Sequence, residues 1–200
     1  TQFPCEIADL IPKKSKKYRR NFLPLLPFGK KTKMIVNEKF PIIVKKHPYY
    51  ESLNIQLIDD IDKIDDWGLS YKTNVNAKMS HWETKTKNVN IVVDWVRDII
   101  YGNYSWLARN HKFVDMESWF AVYNQGDFTA RHDHFMSEFS WVYFIKCPRG
   151  SSPLVFSTSG KKIKAEEGKI VIFPGSLKHE VPKNKCCDRI VLAGNITVTK

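Results

Sequence analysis

The hydrophobic period of this 200-residue chain changes near its middle. Before residue 117 the apolar positions recur at helical spacing. Leu57, Ile58, Ile61 and Ile64 predict a helix over 54–66, closed by Trp67-Gly68. Val92, Trp95, Val96, Ile99 and Ile100 form one stripe and predict a longer helix over 88–108. A polar, irregular stretch separates the two, and a first strand is expected at Lys39–Lys46, around Phe40, Ile42, Ile43 and Val44. From Glu117 onward the period is two. Strands rich in Val, Ile, Phe, Tyr and Trp are expected at 119–124, 139–146, 154–157, 169–173 and 189–199. Turn signals divide them, among them Gln125-Gly126-Asp127, Pro148-Arg149-Gly150, Glu167-Gly168 and Pro174-Gly175. Short, closely spaced strands with Gly/Pro turns predict an antiparallel jelly roll, and the two helices most simply pack outside one of its sheets. The expected class is therefore mainly β with supporting helices.

The first residues follow neither period. Pro4, Pro12, Pro24 and Pro27 break any long helix over 1–33, where basic clusters alternate with a short apolar patch at Phe22–Phe28. An extended basic arm anchored by that patch is expected. Net charge is +11, and residues 1–50 carry twelve Lys/Arg against three acids. Such asymmetry fits an acidic macromolecule or nucleic acid as partner, or an arm that merely solubilises, and no nucleic-acid-binding motif accompanies the charge. An apolar content of 42% with 13% aromatics supports one globular core. No apolar run approaches the roughly 18 residues of a membrane helix, and Thr1-Gln2-Phe3-Pro4 lacks the layout of a secretory leader. Cys5, Cys147, Cys186 and Cys187 show no ligand or disulfide spacing, so free thiols in a cytoplasmic protein are expected.

Candidate chemistry gathers in the β-rich half. His47, His81 and His111 have no partner at ligand spacing and are expected to be surface or structural residues. His132 and His134 are two apart, so on a strand both project from one face while Asp133 points away. His179 on a distant strand would complete a facial set of three nitrogen donors, which suits a divalent first-row metal and leaves coordination positions open. Asp133 could replace His134 only if the strand bulged, and Asp127 is a further carboxylate near the strand's start. Arg189 follows His179 by ten residues, enough for a turn and a return on a neighbouring strand. Its planar fork can pair a carboxylate bidentately. Arg189, Val191, Ala193 and Asn195 then share one face, with the small Ala193 leaving room for a ligand.

The order of these pieces is more specific than any one of them. Trp119-Phe-Ala-Val-Tyr123-Asn124, His132-Asp-His134, Ser140-Trp-Val-Tyr143-Phe144, Gly168 through Phe173-Pro174, His179-Glu-Val181 and Arg189-Ile190 follow one another. Together they resemble the iron(II)/2-oxoglutarate-dependent oxygenase superfamily. Within it they are most similar to a small family of bacterial and phage proteins with H-x-H, S-x-x-Y-Y/F, G-x-x-x-x-F-P, H-x-V and R-I elements. The resemblance covers residues 117–197. It implies a double-stranded β-helix (cupin-like jelly roll) core over 117–200, preceded by a helical support region over 39–116 and the basic arm over 1–38, all in a single domain.

It further implies that His132, His134 and His179 hold Fe(II), and that Arg189 binds the distal carboxylate of 2-oxoglutarate. Asn195, Tyr123, Asn124, Ser140 and Tyr143 are candidate contacts to that co-substrate. The implied reaction uses dioxygen to hydroxylate an amino-acid residue, a small metabolite or a nucleobase, while 2-oxoglutarate is oxidatively decarboxylated to succinate. One departure stands out: most of the superfamily has H-x-D where this chain has His132-Asp-His134. Two other readings remain open. One is a three-histidine, cupin-like dioxygenase without 2-oxoglutarate, in which Arg189 matters less. The other is a non-catalytic, nucleic-acid-associated module whose binding falls steeply with salt.

Overall fold

A computed structural model describes residues 41–67, 73–105 and 112–199. The basic arm expected over 1–38 and His111 lie outside the described residues. Among the described residues these elements follow one another: β1 (Ile43–Lys46), α1 (Tyr50–Asp62), β2 (Val75–Asn76), β3 (Lys78–Met79), α2 (Lys87–Asn103), β4 (Lys112–Tyr123), β5 (Phe128–His132), β6 (Phe139–Lys146), β7 (Leu154–Phe156), β8 (Lys161–Ile163), β9 (Lys169–Pro174), β10 (His179–Val181) and β11 (Arg189–Thr199). The strands form a six-stranded sheet in the order β1-β9-β6-β11-β4-β3 and a five-stranded sheet in the order β2-β5-β10-β7-β8, with antiparallel pairing throughout. This is the jelly roll the turn spacing predicts. No helix among the described residues is long and apolar enough to cross a membrane.

Alternation along the long strands sorts their side chains between two cores. Phe120, Trp141, Tyr143, Ile145, Ile172 and Leu192 pack against the helices through Leu57, Val92, Val96 and Ile100. Their neighbours in sequence turn to the other side. Trp119, Tyr123, Phe144, Phe173, Val191 and Ala193 meet Leu154, Phe156 and Val181 of the smaller sheet. Both faces of β11 are thus covered, which is why its first eight residues are all buried and read as an almost unbroken apolar run. Gly194 interrupts that run for a steric reason: a Cβ there would stand 2.6 Å from both the Trp141 ring and the Glu117 carbonyl.

The helices sit where the 3.6 period puts them, with shifted ends. α1 begins at Tyr50, four residues before the expected start, because its buried stripe is Leu53, Leu57 and Ile61. α2 starts at Lys87 with Thr86 as its cap, the hydroxyl accepting the Val89 N–H at 3.1 Å. The same Thr86 hydroxyl donates to Asp60 of α1, and Asn88 Nδ2 donates to the same carboxylate at 3.0 Å, so the cap also ties the helices together. β4 is twelve residues long against the six expected, because its first half carries the polar residues Lys112, Asp115, Glu117 and Ser118. The two-residue strands β2 and β3 lie in the stretch read as irregular.

Candidate metal centre

β5 and β10 are adjacent strands of the smaller sheet, and their register sets His132 directly opposite His179. Three β10 residues, His179 to Val181, span four residues of β5, His132 back to Thr129. That irregularity is a bulge at Ala130-Arg131. Through it both Thr129 and His132 line the cleft although they differ in parity. His134 arrives by a different route from the one expected. β5 ends at His132, so His134 stands in the turn beyond the strand. Its backbone is clasped instead to the end of β9: His134 N donates to Gly175 O at 2.8 Å and Gly175 N to Glu138 O at 3.0 Å. Only glycine fits at 175, since a Cβ would lie 2.1 Å from Ser137 O and 2.7 Å from His134 O.

The result is one cluster of three imidazoles whose donor atoms all lie within 4.8 Å of one another. His132 Nδ1 lies 2.8 Å from Ala130 O, and His179 Nδ1 lies 2.9 Å from Leu177 O. A carbonyl only accepts, so each Nδ1 carries the ring proton and each Nε2 presents a free lone pair. Burial lowers the pKa of all three from 6.5, to about 4 for His134 and about 3 for His179, with His132 as the second cause in both. They are neutral at pH 7, as metal ligands must be. Neither alternative carboxylate joins them. Asp133 lies 3.9 Å from the Lys178 ammonium, and Asp127 accepts the Asn124 N–H at 2.7 Å in the turn after β4.

Arg189 lines the same cleft as the histidines and is only 1% exposed. It opens β11 opposite Tyr123. The guanidinium carbon stands 4.6 Å from the centre of the Tyr123 ring and 5.5 Å from that of Phe144. Nε donates to Ser152 O at 3.1 Å, and Nη1 is buried without a partner. No carboxylate lies within ion-pair distance of it among the described residues. Burial lowers its pKa, yet a guanidinium stays charged. An enclosed cation with an idle donor costs several kcal/mol, and a ligand carboxylate is the group that would offset it.

The remaining candidates divide. Tyr123 lines the cleft, its hydroxyl 2.7 Å from that of Thr129. Ser140 and Asn195 are buried beside His134, bonded to each other at 2.8 Å. Tyr143 faces away: it lies on the helix side of β6, and its hydroxyl donates to Asn54 of α1 at 2.8 Å. Asn124 is exposed at the end of β4, where its Oδ1 accepts the Asp188 N–H at 3.4 Å. Parity explains Tyr143, since Ser140 and Tyr143 are an odd number apart and cannot share a strand face. Asn184 carries no sequence signal. Buried in the loop before β11, it accepts Ser152 N and donates to the carbonyls of Tyr123, Asn124 and Cys186, fixing the loops behind Arg189. A Pro-Lys-Asn-Lys segment reads as an ordinary turn and gives no sign of this.

No protein-family model and no curated protein matches the sequence. Solved structures do match. The chain is similar to a viral collagen prolyl hydroxylase from Paramecium bursaria Chlorella virus 1 in complex with 2OG, with 16% identity and a TM-score of 0.60 over 78% of this chain and 94% of that one. A Pseudomonas putida prolyl-4-hydroxylase gives 17% identity and 0.61 over 78% and 91%. A Trichoplax adhaerens prolyl hydroxylase, in complex with a hypoxia inducible factor peptide fragment, gives 12% and 0.58 over 77% and 82%. The shared feature at these identities is the fold.

Proposed function

We propose that the chain is an Fe(II)/2-oxoglutarate-dependent oxygenase that hydroxylates its substrate. One observation carries the reading: the neutral three-imidazole cluster and the buried Arg189 with its unpartnered Nη1 line a single cleft. The donor set fits Fe(II), since imidazoles suit first-row divalent ions and three facial ligands leave positions open. His132, His134 and His179 would hold it. When bound, the ion with dioxygen supplies the oxidation that couples loss of carbon dioxide from 2-oxoglutarate to substrate hydroxylation. The chain's own part is binding and exclusion of water. Arg189, steadied by Ser152 O and its two aromatic neighbours, offers Nη1 to the distal carboxylate. Leu154, Val191 and Ala193 wall the cleft with apolar surface.

For the substrate, an amino-acid residue within a peptide is the first class to test, since the structural neighbours are prolyl hydroxylases and one holds a peptide. Phe135 and Met136, immediately after His134, are 78% and 82% exposed and offer an apolar ledge for it. The test is anaerobic titration with Fe(II) and 2-oxoglutarate, following the weak visible charge-transfer band of the chelate. The band is expected in the wild type and lost in His179→Ala and Arg189→Leu. Metal uptake without a band, unchanged by Arg189→Leu, would favour a three-histidine dioxygenase that does without 2-oxoglutarate.

A further inference from the structure

Behind Arg189 one buried carboxamide holds both of the groups that hold the guanidinium. Ser152 O accepts Arg189 Nε at 3.1 Å, and the Tyr123 ring lies 4.6 Å from the guanidinium carbon. Asn184, itself 2% exposed, binds both of those residues. Its Oδ1 accepts the Ser152 N–H at 3.0 Å, while Nδ2 donates to Tyr123 O at 3.2 Å and Cys186 O at 2.7 Å. A backbone N–H only donates and a carbonyl only accepts, so the carboxamide has one permitted orientation. The backbone of Asn184 is pinned as well: Asn184 N donates to Asp127 O at 2.7 Å, and Gly126 N to Asn184 O at 2.9 Å. Ser152 needs this grip. It belongs to no strand, so no ladder sets its peptide planes. Its carbonyl is joined to Pro153, which has no N–H, so that unit cannot be held through its own nitrogen. The preceding unit can, and its N–H ends on Asn184. Ser152 Oγ adds a bond to Lys183 O at 3.0 Å, one residue away.

From this network we infer that Asn184 is a positioning residue for the co-substrate: by fixing Ser152 and Tyr123 it sets the direction in which Arg189 offers Nη1 to the distal carboxylate. The inference rests on the 2-oxoglutarate reading above and involves none of the three histidines. A planar fork pairs a carboxylate well only when its plane is correctly set. The bond from Nε to Ser152 O fixes which edge of that plane is occupied, and the Tyr123 ring fixes its tilt. Asn184 governs both restraints and leaves Nη1 without a partner. Asn54 is its structural counterpart on the helix side. It too is buried and bonded through both ends of its carboxamide, but to Tyr143 and Ile145, away from Arg189.

Pyruvate is the discriminating probe, since it has the same carboxylate and ketone as 2-oxoglutarate but no distal carboxylate. Binding of each to the Fe(II)-loaded protein is measured anaerobically by calorimetry. Asn184→Ala is expected to weaken 2-oxoglutarate by roughly 10–100-fold, the range typical for loss of an outer partner, and to leave pyruvate unchanged. Added to Arg189→Leu it should cost nothing further. Asn54→Ala should lower stability and leave the ratio of the two affinities at its wild-type value. Asn184→Asp keeps an acceptor for the Ser152 N–H but loses the donors to Tyr123 O and Cys186 O. It should lower the ratio by less, and is the variant to read where Asn184→Ala does not fold. Side-chain 1H–15N spectra of the metal-free wild type need neither ligand nor variant: Arg189 Nε–H and the Asn184 Nδ2 hydrogens should exchange slowly. An unchanged ratio in either Asn184 variant, a further loss on top of Arg189→Leu, or rapid exchange of those hydrogens would each overturn the inference. A wild type that binds 2-oxoglutarate no more tightly than pyruvate overturns the co-substrate reading instead, and the exchange rates then judge the Asn184 contacts alone.

Discussion

The two faces of the six-stranded sheet are built from alternate residues of the same strands, yet they differ in kind. On the helix side, polar groups are few and closed upon each other. Tyr143 donates to Asn54 Oδ1, and Asn54 Nδ2 donates to Ile145 O at 2.7 Å, so these buried groups satisfy one another. On the cleft side, Arg189 keeps an idle donor, and three imidazoles gather their nitrogens within 4.8 Å of one another. Burial is equally deep on both: Tyr143 is 0% exposed and Arg189 1%. What separates a structural face from a functional one here is polar satisfaction, and hydrophobicity would not have told them apart.

Substitutions on the two sides should fail differently. The largest effect is expected from Phe120→Ala on the helix side. Emptying that fully buried position should cost about 3–5 kcal/mol of stability in denaturant titration, with 2-oxoglutarate affinity of the folded fraction unchanged. Arg189→Leu should do the reverse. Calorimetric affinity for 2-oxoglutarate should fall by about 2–5 kcal/mol, while the melting temperature holds or rises because an unpaired buried cation has gone. Tyr143→Phe should cost about 1–2 kcal/mol of stability by stranding Asn54 Oδ1, with no change in co-substrate binding. A loss of co-substrate affinity in that variant would break the comparison.

The smallest effect is a dependence on pH. Burial holds His179 to about 3 and His134 to about 4 in the folded protein, against 6.5 ordinarily. Between 6.5 and those values the unfolded chain binds protons that the folded, metal-free protein refuses. Stability is therefore complete above pH 6.5 and declines as pH falls. Melting temperatures of the metal-free protein across that range should slope accordingly, and His179→Gln should flatten the slope. Metal uptake should hold to a lower pH than an ordinary histidine site allows, because burial lowers the pKa of all three imidazoles.

Much of this was legible in the sequence for definite reasons. The helices and long strands announce themselves because each buries a regular set of apolar residues, and Arg189 could be placed because it opens β11 and shares a strand face with Val191, Ala193 and Asn195. His132 and His134 were paired by assuming one strand, and they do meet, but through a bulge and a turn that no period encodes. Tyr143 was expected in the cleft although its parity with Ser140 assigns it to the other face. β2, β3 and β8 have two or three residues each, too few to show a period. Glu117 looked like one more polar residue, because the bond it accepts comes from the Asn195 carboxamide, 78 positions away.

The clasp at Gly175 has a mechanical consequence. His132 and His179 belong to the five-stranded sheet, but the turn bearing His134 is fastened to β9, a strand of the six-stranded one. An ion bound by all three would rivet one sheet to the other at the open end of the sandwich. Prying the sheets apart would then require breaking a coordination bond first, so the loaded protein should unfold more slowly than the metal-free one even where their folding rates agree.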